Sequence, residues 1–587
     1  MKTLWKSFLR DPCRHREITE EERNRLSHYH HLQRYFPAMD VFRSPVFSDS
    51  DTVSSSASLE LPSLYHLEQL SSDEPCSSNT RLWNAQRIHS ETRASEPCQV
   101  FMKVVHLIHP VERIREAYSI PPHPLLPNST KWTQAVSKLH HRNNQAYVDT
   151  VANFVLSRYR ERNLLPHLVL YYGAYTAISS SYRYNLTGEY DSYRHYRWFW
   201  RGLKGHDSRL TLSYRDPTLK EQTFYRQLYQ DLTRYPEEDE LDSDSGSEVD
   251  SVEVLEQKEH EYPVLVEASL PPLEEVDTVD DWNETISSSL EDSESESESE
   301  SESESESESW MDDVDICLEV PNHPVMMILQ EAQEGSMDEL LDEKELDGHD
   351  AGSPEWEKRW TAWTFQVVAT LTFLQNAVSF THNDLHTNNI LWRRTDKPYL
   401  YYRLKGRTIW RVPTYGKIFS LIDFGRSIFR IGKHQWISDD YWPNEDAAGQ
   451  YNYGPFYNKK EPRVEPNPSF DLCRLSVSLL SGLYDEVPPM KKGKGRRIMS
   501  EEGSWKVYET QSALYNLLWK WTLDDAGRTV YENRHGEERF EGFDLYIHIA
   551  QHVHGAVPKE QLYYPLFQGF VWKQPVPPAE IVYGLDA

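Results

Sequence analysis

The residues best suited to chemistry lie between His382 and Gly425. The stretch opens His382-Asn383-Asp384-Leu385-His386-Thr387-Asn388-Asn389-Ile390-Leu391 and closes Leu421-Ile422-Asp423-Phe424-Gly425. An Asp with an Asn five residues on, then a second Asp where an apolar run meets Phe-Gly, is a donor set suited to metal-assisted phosphoryl transfer. In that chemistry Asp384 orients an acceptor hydroxyl and takes its proton. Asn389 and Asp423 hold the Mg²⁺ ions that neutralise charge on the β- and γ-phosphates. Either motif alone is a weak signal, because Asn-Asp and Phe-Gly turns capping two strands would look the same. In this order, each beside an apolar run (Phe380, Ile390-Leu391, Ile418 to Ile422), they form a strong one.

The pair resembles the His-x-Asp-x-x-x-x-Asn catalytic loop and the Asp-Phe-Gly signature of protein kinases. The detail Tyr415-Gly416-Lys417-Ile418-Phe419-Ser420-Leu421-Ile422-Asp423-Phe424-Gly425-Arg426, after its long spacer, is similar to the serine/threonine kinases of large DNA viruses, distantly akin to haspin. The resemblance runs from about Leu61 to the C-terminus. It implies an α+β, bilobal kinase-like fold, with a small antiparallel sheet lobe and a mainly helical lobe. It also implies ATP and Mg²⁺ as cofactors and a protein as substrate. The expected domains are a weakly ordered arm at 1–57, a small lobe at 58–329 carrying an acidic insertion at 236–320, and the hinge with the helical lobe at 330–587.

The elements that must position these groups are legible as periodicities. Gln99 to Val105 alternates around Lys103 as a strand does. The resemblance gives Lys103 the role of the lysine that grips the α- and β-phosphates; an edge strand with an exposed lysine is the plainer alternative. In 142–162, Ala146, Val148, Val151, Phe154, Val155 and Tyr159 recur at helical steps. Counting as in the family makes Asp149 the partner of Lys103, one methylene shorter than the usual Glu; otherwise it is a solvated helix acid. Pro324 to Leu340 reads as a buried strand, a polar connector and a helix start. In the kinase reading it is the hinge, with Gln330 at the gatekeeper place and backbone groups of Glu331 and Gln333 bonding adenine. Trp356, Trp360, Trp363, Val367, Leu371, Leu374 and Val378 mark a core-facing helix leading to His382. Asp471 takes the place of the buried acid that ties to the catalytic-loop backbone.

Three features depart from the family. Ser71 to Thr80, where the phosphate-covering loop belongs, contains no glycine; no Ala-Pro-Glu follows Asp-Phe-Gly; and Asn383 replaces the Arg that reads an activation-loop phosphate. His386 is a residue that small-molecule kinases of the choline or aminoglycoside type often carry. A phosphotransferase acting on small molecules is therefore one rival, and a nucleotide-binding pseudokinase scaffold is another. His548 and His552 have metal-ligand spacing, but no general base lies between them, so they read as ordinary helix residues.

The net charge of −31 is local: residues 236–320 hold 33 Asp and Glu against Lys258 alone, leaving the remainder at +1. Ser293 to Glu308 is eight Ser-Glu repeats. Such text buries too little apolar surface to offset chain entropy, and is expected to be a disordered linker or a docking segment for a basic partner. The five cysteines, Cys13, Cys76, Cys98, Cys317 and Cys473, lack any Cys-x-x-Cys pair and read as reduced thiols of an intracellular protein; the viral resemblance, if it extends to source, implies host cytoplasm or virion. No apolar run approaches a membrane span. No direct nucleic-acid binding is expected.

Overall fold

The computed structural model describes residues 20–43, 63–77, 79–117, 130–214, 216–236, 314–343, 345–404, 408–443, 445–454, 457–500, 503–533 and 536–586. Cys13, the Ser48–Ser58 tract and the Ser-Glu repeat lie outside them. The architecture is α+β. The chain divides into two compact units, Met1–Tyr182 with Pro321–Ala587, and Arg183–Val320.

The main sheet is built from β1 (Tyr29–Gln33), β2 (Tyr65–Ser71), β3 (Leu82–His89), β4 (Ser95–His106), β5 (Tyr171–Asn185), β6 (Arg209–Tyr214) and β7 (Val314–Glu331). Its order is β1-β5-β7-β4-β3-β2, with β6 also on β7, and the registers of β1 on β5, β2–β3–β4, β4 on β7 and β6 on β7 are antiparallel. In β4 the side chains of Val100, Met102 and Val104 are buried while Phe101 and Lys103 take the opposite face, as a two-residue period requires. Within the second unit, β6 pairs with Val314 to Glu319 of β7, and Tyr190, Phe199 and Leu203 are buried on short helices.

Two expectations are corrected. Residues 20–43, placed in a weakly ordered arm, form a helix (Glu20–Arg25), strand β1 and a 3-10 helix (Pro37–Arg43). Phe36 and Phe42 anchor this segment, stacking on Tyr147 at 5.4 Å and packing against Phe154 at 6.1 Å. Aromatic burial outweighs the local polarity that suggested a solvated arm. Likewise the last residues assigned to the insertion, 314–320, are strand: Val314, Ile316, Cys317, Leu318 and Val320 are buried while Asp315 and Glu319 are half-buried.

The predicted helices are present with shifted ends. Gln145–Glu161 is capped by Asn144, whose side chain accepts from the Ala146 N–H. Pro354–Val378 is capped by Ser353 with Pro354 in the first turn, and ends where Ser379 turns left-handed at φ 51°. Its Trp356, Trp360 and Trp363 are all buried. Gln366 on this helix bonds the backbone of Lys417 and Phe419, fixing it against strand Lys417–Leu421. That strand pairs with Ile390–Arg394, which pairs in turn with Gly335–Ser336. Both ends of the His382–Gly425 stretch thus leave one three-stranded sheet.

Candidate functional site

Lys103 leaves β4 on the face away from the Val100–Met102–Val104 core, and its ammonium lies between two carboxylates. Nζ is 2.7 Å from Asp149 Oδ2 and 2.8 Å from Asp423 Oδ1. Asp149 projects from the first turns of the Gln145–Glu161 helix and is 1% exposed. Its other oxygen accepts from the Phe424 N–H at 2.9 Å and from Asn153 Nδ2 at 2.9 Å. The short aspartate thus reaches the lysine directly, and ties the Asp-Phe-Gly backbone to the helix. Burial opposes the Lys103 charge, yet Asp149 and then Asp423 outweigh it and raise its pKa. Burial also pushes Asp149 up, whereas on Asp423, with its side chain 46% exposed, Lys103 overcomes burial and the shift is downward. Asp423 holds φ at 60°, a left-handed strain found at functional turns.

The second cluster is the loop at Asp384. Asp471, fully buried near the start of helix Phe470–Leu483, accepts from the backbone N–H groups of His382 (2.9 Å) and Asn383 (3.0 Å). The His382 ring bonds the Ile422 carbonyl at 2.8 Å, and Ile422 N–H donates to the Asn389 carbonyl at 3.1 Å. These bonds bring the loop up against the residue preceding Asp423. Asn389 Nδ2 donates to the Asp384 carbonyl at 2.8 Å and contacts His386 Nε2 at 3.1 Å, which leaves its Oδ1 available to a cation. Asn383 stands left-handed at φ 65°, a conformation Asn tolerates. Its side chain accepts from Tyr451 and donates to the Arg426 carbonyl.

The structure therefore gathers Lys103, Asp149, Asp423, Asn389 and Asp384 within two linked hydrogen-bond clusters. Glu331 and Gln333 lie at the end of β7 and just beyond it. The Glu331 carboxylate is committed to Arg160, at 2.7 Å, and its N–H to the Leu170 carbonyl, while its own carbonyl lies 3.5 Å from Gln333 Nε2. Gln333 folds its side chain back on the Glu331 carboxylate at 3.0 Å. Gln330 is buried opposite Phe101 in the β4–β7 register. Phe101, two residues before Lys103 and on the same sheet face, escaped the sequence reading. So did Asn153, although its i+4 spacing from Asp149 is a usable signal.

A cavity of about 580 Å³ opens beside the loop, its wall including Asp338, Asp384, His386, Arg426, Arg474 and Tyr546. Tyr546 donates to Asp384 Oδ1 at 2.7 Å. It lies 162 residues beyond Asp384, and no local spacing points to it. Among the described residues no group of three or more His, Cys, Asp or Glu forms a metal cage. Magnesium needs none, since one or two carboxylate-type ligands plus phosphate oxygens and water suffice. Asp423 could supply a carboxylate oxygen and Asn389 a neutral amide oxygen. His548 sits 3.4 Å from Asp524, and its ring lies 4.7 Å from that of His552. Among the described residues no helix is long and apolar enough to cross a membrane, and Cys76, Cys98, Cys317 and Cys473 are free thiols.

No protein-family model matches the chain, and no curated protein matches it either. The arrangement itself carries the chemistry. A lysine is held between two acids, and Asn389 lies on the loop bonded to the residue before Asp423. A third acid faces an open cavity.

Proposed function

We propose that this chain is an ATP-dependent protein serine/threonine kinase with a bilobal kinase-like fold. The observation that carries the reading is Lys103, bonded to Asp149 on a helix and to Asp423 in the Asp-Phe-Gly turn. Four separated segments meet there and at the adjoining loop, which supports giving them the roles of the motifs. In this mechanism Lys103 leaves Asp423 to hold the α- and β-phosphates, and Phe101 offers the base an aromatic face. The backbone at Glu331 and Gln333 bonds adenine. Asp384 accepts the proton of the acceptor hydroxyl as its oxygen bonds the γ-phosphorus and the β–γ bridging P–O bond breaks, releasing ADP. Mg²⁺, when bound at Asn389 and Asp423, neutralises charge on the phosphates. Turnover on the order of 1–100 per second suits such a site.

The test is phosphoryl transfer from labelled ATP to a serine/threonine peptide library, with Asp384→Asn alongside. Wild type should label peptides. The variant should not, while keeping the thermal shift produced by Mg²⁺·ATP. Labelling of amino alcohols or sugars but never peptides would move the assignment to a small-molecule phosphotransferase, the acceptor class that His386 on the cavity wall favours. A thermal shift with Mg²⁺·ATP but no transfer to any acceptor would make the chain a nucleotide-binding pseudokinase scaffold, and no shift at millimolar nucleotide a scaffold that does not use nucleotide at all. A basic partner for the Ser-Glu repeat is a separate proposal resting on charge alone, and the repeat lies outside the described residues.

A further inference from the structure

The Asp384 carboxylate has a single hydrogen-bond donor among the described residues, the Tyr546 hydroxyl at 2.7 Å. Asn389 reaches the Asp384 backbone carbonyl instead, and the His386 ring is turned to Asn389. The tyrosine is itself held firmly. Arg474 Nε donates to its oxygen at 3.0 Å, and the guanidinium is steadied by Ser478 at 2.9 Å. Phe543 stacks on the Tyr546 ring at 5.1 Å and Phe470 packs at 5.9 Å. An arginine donating to the phenol oxygen sharpens the phenol as a donor, and a bond from it to a carboxylate is charge-assisted.

We propose that Tyr546 is a positioning residue for phosphoryl transfer: it fixes Asp384 through Oδ1 and so presents Oδ2 to the acceptor hydroxyl in the adjoining cavity. The inference rests on the kinase reading and adds the group that orients its base. A general base must be held to a fraction of an ångström, and a half-buried aspartate beside a 580 Å³ cavity has no other side chain to hold it. Arg474 acts at one remove, through the tyrosine.

The experiment compares wild type, Asp384→Asn, Tyr546→Phe, Arg474→Met and the Tyr546→Phe/Arg474→Met double variant, using labelled ATP and the best-labelled peptide of the library. Phenylalanine keeps the ring packing and deletes only the hydroxyl. Tyr546→Phe should lower kcat about tenfold, while KM for ATP and the thermal midpoint stay near wild type. Arg474→Met should lose less, and the double variant no more than Tyr546→Phe, because both act on one bond. A Tyr546→Phe enzyme as fast as wild type overturns the inference. A faster one also does, since the hydroxyl would then be blocking the acceptor's place. A wild type that labels nothing overturns the kinase reading and this inference with it. Activity that Asp384→Asn abolishes and Tyr546→Phe leaves intact overturns this inference alone.

Discussion

Lys103 shows how a single side chain links two ends of the site. Its ammonium is the counter-ion of Asp149, which is almost wholly buried, and of Asp423, which is not. Removing one partner of a buried pair costs more than the pair contributes, because the remaining charge is left unpaired. Lys103→Met should therefore destabilise the protein by about 3 kcal/mol, and on the proposed kinase reading it should also abolish transfer. Urea unfolding measures the stability loss. Adding Asp149→Asn should recover part of it, and a double variant less stable than Lys103→Met would refute the pairing. Lysine, acids and amide were each legible from motif and alternation. Their meeting was not, because Lys103, Asp149 and Asp423 are separated by 46 and then 274 residues of chain.

The helices owe their placement to caps and to single polar anchors. Ser353 Oγ accepts from the Trp356 N–H at 3.3 Å, and Ser353→Ala should cost about 1 kcal/mol in chemical denaturation. Asp471 serves a different purpose, holding the His382 and Asn383 amides from another helix. Asn at 471 offers one acceptor oxygen in place of two. Asp471→Asn should lower kcat several-fold with KM for ATP little changed, and cost about 2 kcal/mol of stability. An unchanged kcat would separate loop anchoring from catalysis. Core-facing periodicity predicted both helices of the site, but their ends moved by up to three residues. The caps at Asn144 and Ser353, rather than the apolar stripe, set where each begins.

Across the molecule, the segment after Asp-Phe-Gly is secured by acids of its own. Asp440 Oδ2 accepts from Gln145 Nε2 at 2.7 Å and faces Arg426 Nε at 3.4 Å, while Asp439 pairs with Lys138 at 3.0 Å and takes the Gln145 N–H. Burial pushes Asp440 up to about 7, with Arg426 pulling against it and Asp446 and Asp439 pushing with it. Burial likewise lifts Asp439 to about 6, against Lys138. Both carboxyls bind protons more tightly folded than unfolded. Their contribution to stability is therefore full below the unfolded value of 3.8 and is lost as pH rises to about 6 and 7. Asp440→Asn, which cannot ionise, should gain thermal midpoint relative to wild type as pH goes from about 5 to about 8. A pH-independent difference between the two would sink this assignment.

The order of Asp384, Asn389 and Asp423, the strand around Lys103 and the helix stripes were decided by the sequence alone. They are local patterns, readable from periods of two and 3.6 residues and from fixed spacings. Tertiary structure decided the rest. It recruited Phe36 and Phe42 into the core, drew 314–320 into β7, and set Tyr546 on Asp384. Each of those outcomes pairs residues far apart in the chain, and only the packed fold brings such groups close enough to compete with water and with local preference.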